Sequence, residues 1–199
     1  MADRVFQFKI TINEITPIIW RRIVVPESYS FWDLHVAIQD ALGWLDYHLH
    51  VFKMRRKHSS KTIEIGIPNE DRFEEEPEIL AGWDIPIADY FYDVGVTADY
   101  DYDFGDGWQH EIVLEGILLR EKGQKYPQCR GGENACPPED CGGVPGYYRL
   151  LEVLSDPKDD EYDEMVAWLG KKYNPQEFIP DKVKFDNPKK RWENAFSKR

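Results

Sequence analysis

Two short stretches of the chain gather side chains that can do chemistry. The first, Asp103-Phe104-Gly105-Asp106-Gly107-Trp108-Gln109-His110, sets two carboxylates and an imidazole around a glycine-rich turn. The second, Cys129 to Gly146, carries three thiols, Glu139-Asp140 and a run of glycines and prolines. Histidine titrates near neutrality, so His110 beside Asp103 or Asp106 has the makings of a general base or a metal ligand. If the two stretches meet in space, Asp103, Asp106, His110, Glu139 and Asp140 form an acid/base set of hydrolase type, because neighbouring carboxyl groups can be driven to different proton affinities. The bland alternative is structural. Asp140 before Cys141-Gly142-Gly143 suits an Asx-type turn, and His110 suits a core position bonded to a phenol or a backbone carbonyl.

Metal binding is a separate chemistry. Cys129, Cys136 and Cys141 are separated by six and then four residues, with no Cys-x-x-Cys pair. The zinc pattern is therefore incomplete, and His110 supplies a fourth donor if the two motifs meet in space. His48 and His50 offer another pair, since alternate residues of a strand face the same way. Zinc is the cofactor such donors suit, and free thiols with structural histidines are the competing reading. A phosphate on Gly142-Gly143-Val144-Pro145-Gly146 has helix N–H groups available. The P-loop lysine and spacing are missing, however, and Glu139 and Asp140 repel anions.

The elements that must position these residues follow from periodicity. Phe6, Phe8, Ile10 and Ile12 alternate with polar residues, the pattern of a half-buried strand, and Ile18 to Val25 is a second β-branched run ended by Pro26. Ser30 with Asp33 three residues on marks a helix start. Phe31, Leu34, Ile38, Ala41 and Leu42 keep helical spacing, and Gly43 closes the helix. His48 to Met54 then predicts a third strand. Strand, strand, helix, strand predicts a β-grasp-like (ubiquitin-like) core: an α+β fold with a mixed sheet, one packed helix and a helical C-terminal extension.

Thr62 to Ile67 predicts a further strand, Asn69 to Glu78 an exposed acidic loop, and Trp83 to Tyr92 a strand with a short helical turn. Tyr147–Leu154 and Asp159–Leu169 predict helices, the second closed by Gly170. Asn187-Pro188 opens a last helix with Trp192 and Phe196 one turn apart. One domain over 1–199 is expected, comprising the core (1–57), additional strands and acidic loops (58–126), and the Gly/Pro-rich loop with its helices (127–199). For the ribbon at 99–115, a three-residue turn that pairs Phe104 with Trp108, Tyr102 with His110 and Tyr100 with Ile112 yields one apolar and one acidic face. It sets Asp101 against Glu111, a repulsion that calls for a nearby cation.

The charge balance limits partners. The 199 residues include 25 Lys plus Arg and 37 Asp plus Glu, a net charge of −12. Fifteen carboxylates and one base fall between Glu70 and Glu115, while Lys182 to Arg199 carries seven bases against two acids. An acidic chain repels phosphate backbones, so nucleic acid is not an expected partner. The acidic surface instead suits a basic protein partner, with the basic tail docking back onto that acidic face. No run of about 18 apolar residues occurs, which argues against a membrane span. Three cysteines and an N-terminus that runs straight into a strand point to the cytoplasm.

Several motifs together resemble the plasmid pRiA4b ORF-3-like family. They are Trp20-Arg21-Arg22, the helix from Leu34-His35 to Gly43-Trp44, His48-Leu49-His50, Tyr102 to His110, and Pro137-Pro138-Glu139-Asp140-Cys141-Gly142-Gly143 followed by Gly146-Tyr147. The resemblance implies an uncharacterised protein, and some members carry a transposon-resolvase label or sit beside mobile elements. Serine recombination needs an activated serine among phosphate-holding arginines. Ser28, Ser30, Ser59, Ser60, Ser155 and Ser197 stand in no Arg-rich motif. The expectation is a non-catalytic cytoplasmic binding or interaction protein. The alternative is a metal-dependent hydrolase-type enzyme built from the 103–110 and 129–146 motifs.

Overall fold

The computed structural model describes residues 3–55, 61–68 and 78–196. Its strands are β1 (Arg4–Ile12), β2 (Ile19–Pro26), β3 (His50–Arg55), β4 (Thr62–Gly66), β5 (Ile79–Ala81), β6 (Thr97–Tyr102), β7 (Trp108–Leu119) and β8 (Gln128–Glu133). The helices are α1 (Phe31–Leu42), α2 (Gly143–Ser155), α3 (Tyr162–Leu169) and α4 (Pro188–Phe196). The strands form one sheet in the order β5-β4-β3-β6-β7-β1-β2-β8. Only β4 and β5 pair in parallel. The α+β class and the mixed sheet therefore hold. Contiguity of hairpin, helix and next strand does not, because β6 and β7 stand between β1 and β3.

Helix α1 starts and stops where its side chains dictate. Ser30 Oγ accepts from the Asp33 amide at 3.2 Å and Asp33 Oδ2 accepts from the Ser30 amide at 2.9 Å, a reciprocal cap. Gly43 ends the helix in the left-handed region at φ 83°. Phe31, Leu34, Ala37, Ile38 and Ala41 then bury against Phe8, Ile10, Ile23, Phe52, Tyr100 and Ile112 of the sheet. Each such large side chain contributes roughly 1.5–3 kcal/mol on burial.

The opposite face of the sheet is charged and pairs across strands: Arg22 Nε lies 2.5 Å from Glu115 and Lys53 Nζ 2.6 Å from Asp101. The basic tail does dock, but onto α1 rather than onto the acidic strands. Arg191 of α4 reaches Asp40 at 2.6 Å, and Trp32 Nε1 donates to Pro188 O at 3.0 Å. No helix among the described residues is long and apolar enough to cross a membrane.

Three expectations need correction. Tyr102 pairs with Trp108 and Tyr100 with His110, so the turn spans 103–107 and the register differs by two from the three-residue version. A shift of two preserves the faces, and Asp101 now lies opposite Gln109 with Lys53 as its cation. Trp83–Tyr92 holds a 3-10 turn at Ile87–Asp89 and a single antiparallel bridge from Pro86 to Ser30, and no strand. The Gly/Pro-rich loop begins as a strand, β8, antiparallel to β2; its Gly131-Gly132 pair hid it from propensity. The predicted acidic loop lies outside the described residues except for Glu78.

His110 is fully buried on the helix-covered face. Its Nδ1 donates to Tyr100 O at 3.0 Å, its Nε2 has no partner among the described residues, and burial pushes its pKa down to about 4. An unfolded histidine takes a proton near pH 6.5. Between those values the unfolded chain binds a proton that the folded chain refuses, so stability falls as pH drops through that window, by up to about 3 kcal/mol. His110→Asn removes this contribution. In urea denaturation at pH 7 and pH 4.5, the variant should be weaker overall but should lose less between the two pH values than the wild type.

Candidate functional site

The turn of the ribbon, the loop after α1 and the Pro/Gly loop meet at one end of the sheet. Asp103 sits just past β6 with φ 54° and is held on three sides. Its amide donates to Leu49 O at 3.0 Å, its carbonyl accepts from Gly107 N at 2.6 Å, and its Oδ1 accepts from the amides of Gly105 at 3.0 Å and Asp106 at 3.2 Å. That leaves Oδ2 aimed at His48 Nε2, 3.5 Å away. From the third loop Asp140, also left-handed at φ 60°, brings Oδ1 to 2.7 Å from the same nitrogen.

His48 is positioned by its loop rather than by a strand. Asp46 Oδ1 meets the buried His35 Nε2 at 2.7 Å, and the Leu45 amide donates to Glu139 Oε2 at 2.7 Å. Glu139 Oε1 accepts a hydrogen bond from the Tyr102 hydroxyl. Burial first, and the Glu139 carboxylate second, raise the Tyr102 pKa, so the proton stays on the phenol. Trp44 adds the apolar part of the joint: it stacks on Tyr102 with ring centroids 5.0 Å apart and donates Nε1–H to Pro137 O at 2.9 Å. Asp106 fastens the far side, its Oδ2 accepting from Gly142 N at 3.1 Å.

The expected site residues divide accordingly. Asp103, Asp106, Glu139 and Asp140 do come together, but Glu139 gives both oxygens to the Leu45 amide and the Tyr102 phenol, and Asp106 gives Oδ2 to the Gly142 amide. His110 stays beneath them in the core beside Tyr100 and Trp44. His50 and His48 do not form a strand pair, because β3 begins only at His50 and His48 lies in the loop before it. His50 is stacked on His35 at 3.5 Å between centroids, and burial, then the neighbouring imidazole, holds its pKa well below the usual value.

Among the described residues, the one group of three or more His, Cys, Asp or Glu donors close enough for a single ion is His48, Asp103 and Asp140, with ligand atoms within 4.8 Å of one another. The cysteines are free and supply no donor to this group. Burial raises all three thiols, Cys141 to about 12, so they stay protonated near neutral pH and are poor nucleophiles. The histidine of the set was legible only as half of a strand pair. The signal that singles it out is its place between Asp46 and β3, which only the loop geometry reveals.

A sequence model of the plasmid pRiA4b ORF-3-like proteins matches residues 4–182. The chain belongs to that family. The uncharacterized protein y4hQ of Sinorhizobium fredii is 33% identical over 171 residues, 85% of this chain and 83% of its own. A protein of unknown function from Methanosarcina mazei Go1, MM3350, is 42% identical. Its crystal structure matches with a TM-score of 0.83 over 93% of this chain and 100% of that one. In this pRiA4b ORF-3-like protein His48, Asp103 and Asp140 all fall inside the segment that the family match covers.

Asp140 also lines a cleft of about 890 Å³ between the loop after α1, the Pro/Gly loop and the chain from Trp168 to Lys184. Gly143 keeps the Pro/Gly loop against the ribbon. A Cβ there would collide with the Asp106 carbonyl, at a φ of +67° that side chains disfavour. Gly143→Ala should therefore cost about 2 kcal/mol or more in urea denaturation. Gly95→Ala, at φ +89° in open space, should cost about half as much.

Proposed function

We propose that this protein is a ligand-binding protein whose cleft carries a divalent-cation site at its lip, formed by His48, Asp103 and Asp140. The observation that carries the reading is the convergence of one imidazole and two carboxylates from three separate loops, two of them fixed in left-handed backbone. Positions of this kind persist only where surrounding structure over-determines them, and they cluster at binding sites. An imidazole with two carboxylates suits Zn²⁺ or another first-row ion. The amides on Asp103 Oδ1 and the Gly142 bond to Asp106 would hold the donors in place, as outer partners do in metal sites.

Three protein donors leave coordination positions for water, which a hydrolase would use. The two nearest spare carboxylates, Glu139 and Asp106, are already hydrogen-bonded and are poorly placed to serve as a free base. Binding is therefore favoured over hydrolysis. The strand face that invited a basic protein partner is partly neutralised by Lys53 and Arg22, so recognition is assigned to the cleft. On this reading the β1–β2 hairpin with α1 is a β-grasp-like unit opened by β6 and β7, and it serves as the rigid base of the site.

Titration calorimetry with Zn²⁺ on chelator-stripped protein should show one site. His48→Ala and Asp103→Asn should each weaken it at least about tenfold, while His110→Asn leaves it intact. No saturable binding by the wild type, or binding indifferent to His48 and Asp103, would refute the proposal.

A further inference from the structure

We propose that the same cleft binds an organic oxoanion, a carboxylate or phosphate on an apolar body, through the guanidinium of Arg21. The inference goes beyond the cation site and does not require it. Arg21 occupies an inward position of β2, between Ile19 and Ile23, where the alternation calls for an apolar side chain. It is 1% exposed and lines the cleft. Nε donates to Ala41 O at 3.0 Å, and Nη1 donates to Trp20 O at 2.8 Å and Glu133 O at 3.0 Å. Nη2 donates to no protein atom among the described residues. One face of the guanidinium lies 3.6 Å from the centroid of the Phe178 ring.

No carboxylate among the described residues pairs with this buried cation, whereas Arg4, Arg22, Arg120, Arg130, Arg149 and Arg191 each reach one. Ala41 lies in the last turn of α1, so the helix dipole offsets about half a charge, and the rest stands uncompensated. A buried charge is costly unless paired, and burial here lowers the Arg21 pKa. An arriving oxoanion supplies the missing partner through charge-assisted hydrogen bonds from Nη2.

The rim agrees with this assignment. Lys171, Lys172 and Lys184 line the cleft, are exposed and have no ion pair among the described residues. Of the acids on the walls, Asp40 is held by Arg191, Glu177 faces Lys182 at 3.5 Å, and Glu139 is tied to Leu45 and Tyr102. In a chain of net charge −12, five bases against four acids on the cleft walls mark a locally positive surface. The apolar body has Trp44, Trp168, Tyr173 and Phe178 to lie against, and about 890 Å³ is within the range of small-molecule sites. Gly132, opposite Arg21 in β8, keeps the stack possible, since a Cβ there would collide with the Phe178 ring.

The test is calorimetric titration of chelator-stripped wild type and of the His48→Ala variant with phenyl phosphate and, separately, with benzoate. Saturable binding of at least one probe by both proteins, weakening as NaCl is raised, is expected. Which probe binds identifies the phosphate or the carboxylate as the preferred group. Arg21→Met should weaken binding at least tenfold with an unchanged circular dichroism spectrum. Should Arg21→Met fail to fold, the exposed triple reversal Lys171→Glu, Lys172→Glu, Lys184→Glu decides, and it should weaken binding at least fivefold. Absence of saturable binding for both probes overturns the proposal. So does affinity unchanged by the Arg21 substitution, or by the rim reversal where that is the deciding variant. Absence of saturable Zn²⁺ binding by the wild type, with oxoanion binding retained, would sink only the cation site.

Discussion

One carboxylate, Glu139, holds three loops together. It takes the Tyr102 phenol from the end of β6 and the Leu45 amide from the loop after α1, while itself belonging to the Pro/Gly loop. Loops carry unsatisfied backbone groups and little apolar surface, so they drift apart unless specific bonds replace water. A hydrogen bond to a charged group is worth about 1.5–3 kcal/mol, enough to outweigh the ordering cost of the few residues involved. Trp44, stacked on Tyr102 and bonded to Pro137, keeps water from competing with those bonds. His48, Asp103 and Asp140 converge because their neighbours Tyr47, Tyr102 and Glu139 are already joined.

Beneath this joint the sheet departs from apolar alternation at a few inward positions. Ile19, Ile23, Phe52, Met54, Trp108, Ile112 and Leu114 face α1 as the period-two rule requires, but Arg21, His50 and His110 share that face. Each sits under the site or the cleft. His110 and His50 serve as neutral packing groups, bonded or stacked against Tyr100 and His35. Arg21 keeps its charge and fastens the end of α1 to β8. The unpaired nitrogens His50 Nδ1 and His110 Nε2 belong to neutral rings, whereas Arg21 is a buried cation with no carboxylate partner among the described residues, and it marks where one is missing.

Much of this was legible in the sequence, because local rules decided it. The Ser30–Asp33 cap, the Gly43 and Gly170 stops and the Asn187-Pro188 opening of α4 depend on residues within one turn of each other. The meeting of the ribbon with the Pro/Gly loop stood in the sequence only as a condition, since the contact of Asp106 with Gly142 joins residues distant along the chain. The ribbon register was not, because Asp103 bonds the amides of Gly105 and Asp106 and so lengthens the turn to five residues. That leaves Phe104 exposed at the tip rather than paired. Nor was the choice of His48 over His110 legible, since it hinges on where β3 begins and on Asp46 turning left-handed at φ 62° to reach His35. The role of Arg21 escaped for a similar reason: its partners Ala41, Glu133 and Phe178 are distant along the chain.

The dependence of the site on Glu139 is tested most directly by a double-mutant cycle between Tyr102→Phe and Glu139→Ala, read from urea denaturation at pH 7. The account predicts that the two changes couple by about 1 kcal/mol or more, because either one alone removes the same bond. Additive losses, with a coupling within about 0.3 kcal/mol of zero, would mean that the loops are held by something else.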